Sequence, residues 1–156
     1  MPPLGDDHRA AIRTLATELE GAGVTWALTG SASFALQGVP VEPDDVDVQT
    51  TAEGASEIER RFAERVVEPV SFSAAERIRS HFGAFEVEGV RVEVMGAVQK
   101  RRADGRWESP VDVAAHRREV SLDGVCVPVL SLAYEARAYE RLGRTERAAL
   151  LREHVE

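Results

Sequence analysis

A chain of 156 residues, 44% hydrophobic and 29% charged, has the length and composition of one globular domain, with enough core to need no staple. Its net charge of −8, with Lys100 as the single lysine, makes a long nucleic acid the least favoured partner. Cys126 is the sole cysteine, which rules out an intrachain disulfide and points to a reducing compartment, and no apolar run is long enough to span a bilayer.

Residues Met1 to Asp7 lack the basic and apolar blocks of a signal peptide, so a cytoplasmic location is expected. Asp6 or Asp7 can cap a first helix, in which Ile12, Leu15, Ala16 and Leu19 form an apolar stripe that ends at Gly21–Gly23. Val24–Thr29 reads as a strand, followed by a short helix from Ser31 that closes at Gly38. Pro43 precedes an acidic strand, Asp45–Gln49. Thr50 and Glu53 have capping-box spacing before a helix with Ala55, Ile58 and Phe62 on its core face. Between 66 and 80 the signals conflict. Ser73 and Glu76 repeat the capping spacing, whereas Gly83 and the polar residues around it oppose a helix.

Phe82–Val87 and Val90–Val94 predict a hairpin about Glu88-Gly89, and Asp104-Gly105 marks a further turn. Asp123-Gly124 joins Arg118–Leu122 to Val125–Val129, and Val125-Cys126-Val127 reads as a buried strand thiol. Ser131 can cap a helix carrying Leu132, Ala136, Tyr139 and Leu142. Gly143 breaks it, and Thr145 can cap a last short one. The order predicts a single α+β domain, residues 1–156, with a mixed sheet flanked by helices and C-terminal helices.

The chemistry concentrates at Gly30-Ser31 and Asp45-Val46-Asp47. A strand running through Gly-Ser into a helix lets backbone approach a phosphate closely and offers a hydroxyl and free N–H groups. On a strand the two aspartates leave one face, ~6.6 Å apart along the chain. Paired carboxylates repel unless a cation sits between them, and hard oxygen donors suit Mg²⁺. Glu93, set among Val90, Val92 and Val94, completes a three-carboxylate site if its strand lies beside the acidic one. Such a site would hold one Mg²⁺ that activates a hydroxyl, with a second bridging nucleotide phosphates ~3.5–4 Å away.

Gly30-Ser31, a short helix, Asp45-Val46-Asp47 and a later strand carboxylate resemble the polymerase-beta-type nucleotidyltransferase superfamily. The Gly38 turn and the compact Glu93-Val94-Met95-Gly96 resemble its small antibiotic-modifying branch, including lincosamide nucleotidyltransferases. The likeness covers residues 24 to 96, and the C-terminal part carries no motif with an assignable role. It implies that Gly30 and Ser31 hold a nucleoside triphosphate and that Asp45 and Asp47 bind two Mg²⁺ ions. Glu93 would bind the catalytic ion and orient or deprotonate an acceptor hydroxyl. In-line attack on the α-phosphorus would then leave a nucleoside monophosphate on a small molecule or protein and release pyrophosphate. Small superfamily members act in toxin–antitoxin pairs, which keeps a protein acceptor in view.

This chain departs from the pattern twice. Glutamate stands at the third position, where many members carry aspartate, and Val41-Glu42-Pro43-Asp44 lacks the arginine often found before the first aspartate. The rival reading is a non-catalytic module on the same fold that binds a nucleotide or a partner protein. Lys100-Arg101-Arg102 can meet phosphates or form a solvated turn. Trp26 and Phe34 read as core, Tyr134 and Tyr139 as packing residues on a helix stripe, and His81 as a surface or packing residue.

Overall fold

The computed structural model describes residues 4–155. Asp6–Leu19 forms helix α1, which buries Ala11, Ile12, Leu15, Ala16 and Leu19. Gly5, rather than an aspartate, occupies its N-cap, and Asp6 and Asp7 lie in the first turn, where they complement the helix dipole. Strand β1 (Trp26–Thr29) runs directly into helix α2 (Gly30–Leu36), and strand β2 (Val46–Thr50) leads to helix α3 (Ala52–Arg61). Thr51 caps α3 by accepting the Gly54 N–H, one residue later than the sequence spacing suggests. Thr50 is still in the strand, and its hydroxyl donates to the Thr25 carbonyl.

A single 3-10 turn (Ala63–Arg65) follows, then strands β3 (Val66–Ala74), β4 (Ile78–Val87) and β5 (Val90–Lys100). Most of the ambiguous stretch is therefore strand, and Gly83, in β4, is there for a packing reason. A Cβ there would lie 2.6 Å from Val70 Cγ2, where β3 bulges toward β4. The expected hairpin joins β4 to β5, with Glu88 and Gly89 both at positive φ as a two-residue turn requires.

A short helix α4 (Val113–His116) precedes strands β6 (Arg117–Leu122) and β7 (Val125–Leu130), which turn at Asp123-Gly124. Helix α5 (Leu132–Arg141) is capped by Ser131, which accepts the Tyr134 N–H. Arg144, not Thr145, is the N-cap of the last helix, α6 (Thr145–Arg152).

The seven strands make one mixed sheet in the order β3-β4-β5-β2-β1-β7-β6. The pairings β2–β5 and β1–β7 are parallel, and β1–β2, β3–β4, β4–β5 and β6–β7 are antiparallel. Strand alternation divides the residues cleanly. Leu28, Val46, Val48, Val92 and Val94 pack with α1 and α3 in the main core, so Thr29, Asp45, Asp47, Gln49 and Glu93 occupy the opposite face. That face is covered only in part, by α4, α5 and α6 through the smaller clusters around Phe34 and Ala27. The same alternation corrects the reading of Cys126. With Val127 and Val129 in the core, its thiol is exposed and bonds to the Glu119 carboxylate. Among the described residues no helix is long and apolar enough to cross a membrane.

Gly96 lets α3 seat on the sheet. A Cβ there would lie 2.6 Å from the Thr51 carbonyl oxygen and 3.0 Å from Ala55 Cβ. Gly96→Ala therefore forces backbone apart in a packed layer, with an expected loss of about 1–3 kcal/mol by urea or thermal unfolding.

Candidate active site

The N-terminal end of β2 brings the predicted carboxylates together. Asp47 lies opposite Glu93 in the parallel β2–β5 register, and Asp45 stands two residues earlier on the same face. Asp47 also lies against Gly30. That residue has φ +74, and a Cβ on it would sit 2.5 Å from Asp47 Oδ2. Glycine at position 30 is thus required twice, by the left-handed turn from β1 into α2 and by the approach of a carboxylate.

Burial pushes the Asp47 carboxyl up to about 7, with the charges of Glu93, Asp45 and Asp44 and a hydrogen bond to Glu93 adding to the shift. Asp45 is raised as well, first by burial and then by Glu93 and Asp44, against the opposing charge of Arg91. The Arg91 guanidinium supplies the local counter-charge. Its Nε is 2.8 Å from Glu93 Oε2 and 3.7 Å from Asp45 Oδ2.

Among the described residues, no three His, Cys, Asp or Glu side chains stand close enough together to enclose a metal ion. The donor set nevertheless suits one. All three groups are carboxylates on one face, and their crowding helps raise the Asp47 carboxyl while Arg91 supplies a nearby counter-charge.

The Gly30-Ser31 turn differs from its sequence expectation. The Gly30 N–H donates to Glu135 Oε2 at 3.3 Å instead of pointing outward, and the Ser31 hydroxyl oxygen accepts the Asp44 N–H at 2.8 Å. Ser31 thereby ties the loop before β2 to the start of α2, and its hydroxyl hydrogen stays available to a ligand.

Glu135, on α5, is the residue that sequence reading missed. It is 4% exposed, and both of its oxygens are 2.8 Å from Thr29 Oγ1, whose single hydroxyl hydrogen they share. Burial pushes its carboxyl up to about 7, although Thr29, Gly30 and Lys100 oppose the shift. The one available signal was a glutamate at the centre of an apolar helix face, between Leu132 and Ala136 on one side and Tyr139 on the other.

Two further groups complete this side of the sheet. Lys100, half-buried and not a solvated turn residue, donates to Tyr134 Oη at 3.1 Å, and burial lowers its pKa. Tyr134 in turn stacks on His116 at 4.3 Å between ring centroids. The Gln49 amide oxygen is buried without a hydrogen-bond partner among the described residues. Trp26 and Phe34 are core residues, as expected.

The sequence profile of the aminoglycoside-2''-adenylyltransferase family matches residues 11–154. A Thermotoga maritima protein, provisionally described as a nucleotidyltransferase, is 52% identical over 90% of this chain and 88% of its own, with a TM-score of 0.81. The lincosamide antibiotic adenylyltransferase LnuA, solved with lincomycin, shares the fold at 10% identity, covering 98% and 99% of the two chains with a TM-score of 0.63. The antibiotic-resistance factor ANT(2'')-Ia does so at 15% identity over 95% of this chain and 84% of its own, with a TM-score of 0.59. No curated protein matches. The mixed sheet flanked by helices, the 52% identical relative and a profile match along nearly the whole chain lead to one assignment: the protein belongs to the aminoglycoside-2''-adenylyltransferase family of nucleotidyltransferases.

Proposed function

We propose that the protein transfers a nucleoside monophosphate from a nucleoside triphosphate to a hydroxyl, releasing pyrophosphate, as a single cytoplasmic domain. The observation that carries this reading is the placement of Asp45, Asp47 and Glu93 on one open sheet face beside Gly30-Ser31. Asp45, Asp47 and Glu93 would hold two Mg²⁺ ions. When bound, such ions neutralise phosphate charge and acidify a coordinated hydroxyl. Ser31 binds the triphosphate through its free hydroxyl hydrogen, beside the close backbone at Gly30. Glu93 orients the acceptor hydroxyl and takes its proton. The acceptor oxygen attacks the α-phosphorus in line, and the bond to pyrophosphate breaks.

A small-molecule acceptor has support from two directions. ANT(2'')-Ia has been solved in complex with adenylyl-2''-tobramycin and LnuA with lincomycin, so small molecules are the acceptors among fold relatives. Beside Asp45, a groove of about 620 Å³ is lined by Asp6, Asp7, His8, Asp44 and Arg91, and its acidity suits a cationic small molecule over a nucleic acid. A protein hydroxyl is the alternative acceptor.

The test is transfer from an α-labelled nucleoside triphosphate with Mg²⁺ across a panel of small-molecule and protein acceptors. The wild type labels its acceptor, and Asp45→Ala and Asp47→Ala do not; undiminished labelling by both variants would sink the mechanism. The bridging of Asp45 and Glu93 by Arg91 favours a second reading, a binding module without turnover. Calorimetry separates the two. Binding of the triphosphate by wild type and Glu93→Gln alike, with no turnover of any acceptor by wild type, selects the module.

A further inference from the structure

The surroundings of Gly30-Ser31 are strongly negative for a site that is to hold a polyanion. Asp44, Asp45, Asp47, Glu93 and Glu135 all face or adjoin it, and the nearby cations are both engaged, Arg91 with Glu93 and Asp45 and half-buried Lys100 with Tyr134. The loop leading to β2, residues 41–44, carries no basic residue. Two divalent ions would do little more than offset the carboxylates, so the phosphates distal to the reacting one need cations from elsewhere in the fold.

The turn between α5 and α6 brings such cations near. Arg147 Cζ stands 6.0 Å from the centroid of Phe34, and Arg144 Cζ stands 5.2 Å from that of Tyr139. The two rings meet edge to face at 5.9 Å. Phe34 lies one helical turn after Gly30-Ser31 on α2, and helical side chains lean toward the N-terminus. The Arg147 guanidinium thus packs against α2 through Phe34, one turn beyond Gly30-Ser31. Tyr139 is within electrostatic reach of both sets of charges. Burial raises its pKa, the carboxylates of Glu135 and Asp47 raise it further, and Arg144 and Arg147 pull it down.

Both arginines line a groove of about 700 Å³ between this turn and Val41, in the loop that Ser31 anchors through Asp44. Neither makes an ion pair among the described residues, whereas Arg9, Arg13, Arg60, Arg61, Arg141 and Arg152 each have a carboxylate partner. Glu146 is the acid on the same groove and pairs with neither.

We propose that Arg144 and Arg147 form a polyphosphate-binding groove that receives the β- and γ-phosphates of the nucleoside triphosphate. This assignment rests on the nucleotide reading above and extends the site to a part of the chain without a recognisable motif. Unpaired guanidinium groups suit phosphate oxygens, which they meet through paired N–H donors. Stacking over Phe34 and Tyr139 restricts both side chains before the ligand arrives.

The experiment compares ATP, AMP and inorganic tripolyphosphate, each with Mg²⁺, by calorimetry on the full chain and on Arg144→Gln, Arg147→Gln and the double variant. Arg144 is exposed and Arg147 half-exposed, so all three variants are expected to keep the wild-type circular dichroism and melting temperature. Each single substitution should weaken ATP and tripolyphosphate by roughly 10-fold and the double by roughly 100-fold, leaving AMP unchanged. Wild-type affinity for ATP and tripolyphosphate in the double variant overturns the groove, as does an equal loss for AMP. If wild type binds tripolyphosphate but not ATP, and the variants lose it, the groove stands and the nucleotide reading falls. If wild type binds neither, both are overturned.

Discussion

Asp47→Asn is expected to abolish transfer and, in the same molecule, to stabilise the metal-free fold. The carboxylate is half-buried, faces Glu93 across the β2–β5 register and lies against the Gly30 backbone. Removing its charge takes away a proposed metal ligand, so kcat/KM should fall by roughly 10³-fold or more, several kcal/mol of transition-state stabilisation. The same substitution removes a charge that burial and three neighbouring carboxylates, Glu93, Asp45 and Asp44, oppose.

The sign follows from linkage. A carboxyl at about 7 in the folded protein and near 4 in the unfolded chain keeps its proton on folding between those values, so its ionisation lowers stability as pH rises through that window. In EDTA at pH 8, Asp47→Asn should therefore gain about 1–3 kcal/mol, or roughly 3–10 °C in melting temperature. The gain should shrink steadily as the pH is lowered toward 4. Thermal unfolding across that range checks it, and a variant that is less stable than wild type at pH 8 would contradict the crowded-carboxylate description.

The second large effect belongs to Glu135. Its carboxyl is sealed from solvent and holds the Thr29 hydroxyl and the Gly30 N–H, the two groups that shape the turn into α2. Glu135→Ala leaves both donors buried and unpaired beside a cavity, with an expected loss of about 2–4 kcal/mol. Glu135→Gln keeps an acceptor for Thr29 and removes a group that resists ionisation, so it should retain wild-type stability or exceed it at pH 8.

Glu135 keeps its proton on folding between about 4.5 and about 7, and the stability that this provides is lost as pH rises through about 7. The wild-type stability curve should therefore slope downward in that window, and Glu135→Gln should flatten it. Because the turn positions Ser31, Glu135→Ala should also raise KM for the nucleoside triphosphate more than it lowers kcat, with Glu135→Gln close to wild type. Denaturant titrations and steady-state kinetics on the two variants check both halves. Equal kinetic behaviour in both would assign Glu135 to stability alone.

Much of the fold was legible because local chemistry dictated it. The Glu88-Gly89 and Asp123-Gly124 turns need residues that tolerate positive φ, and the chain supplies them between alternating apolar runs. Ser131 caps α5 as its position announces, and the α1 stripe at Ile12, Leu15 and Leu19 is the buried one. The misreadings have equally local causes. Thr50 and Thr51 are adjacent and chemically alike, so only the end of β2 decides which of them caps α3. Residues 66–74 alternate weakly because they form an edge strand with most side chains in solvent, and an edge strand shows little hydrophobic pattern. Cys126 sits among valines in sequence but on the opposite face from Val127 and Val129.

Residue order alone settled the carboxylate face. Asp45, Asp47 and Glu93 alternate with valines, and a period of two leaves such a strand one way to bury its apolar side. It also determined the need for glycine at a strand-to-helix turn. What surrounds that turn depends on how distant elements pack. The β2–β5 register sets Glu93 opposite Asp47, Arg91 answers their charge, and α5 brings Glu135 back across more than a hundred residues to take the Gly30 N–H. The turn after α5 likewise places Arg144 and Arg147 beside Phe34 and Tyr139. Motifs record local backbone demands and side-chain period, whereas the electrostatics of a site sum over every element packed around it, and that sum exists only once the chain has folded.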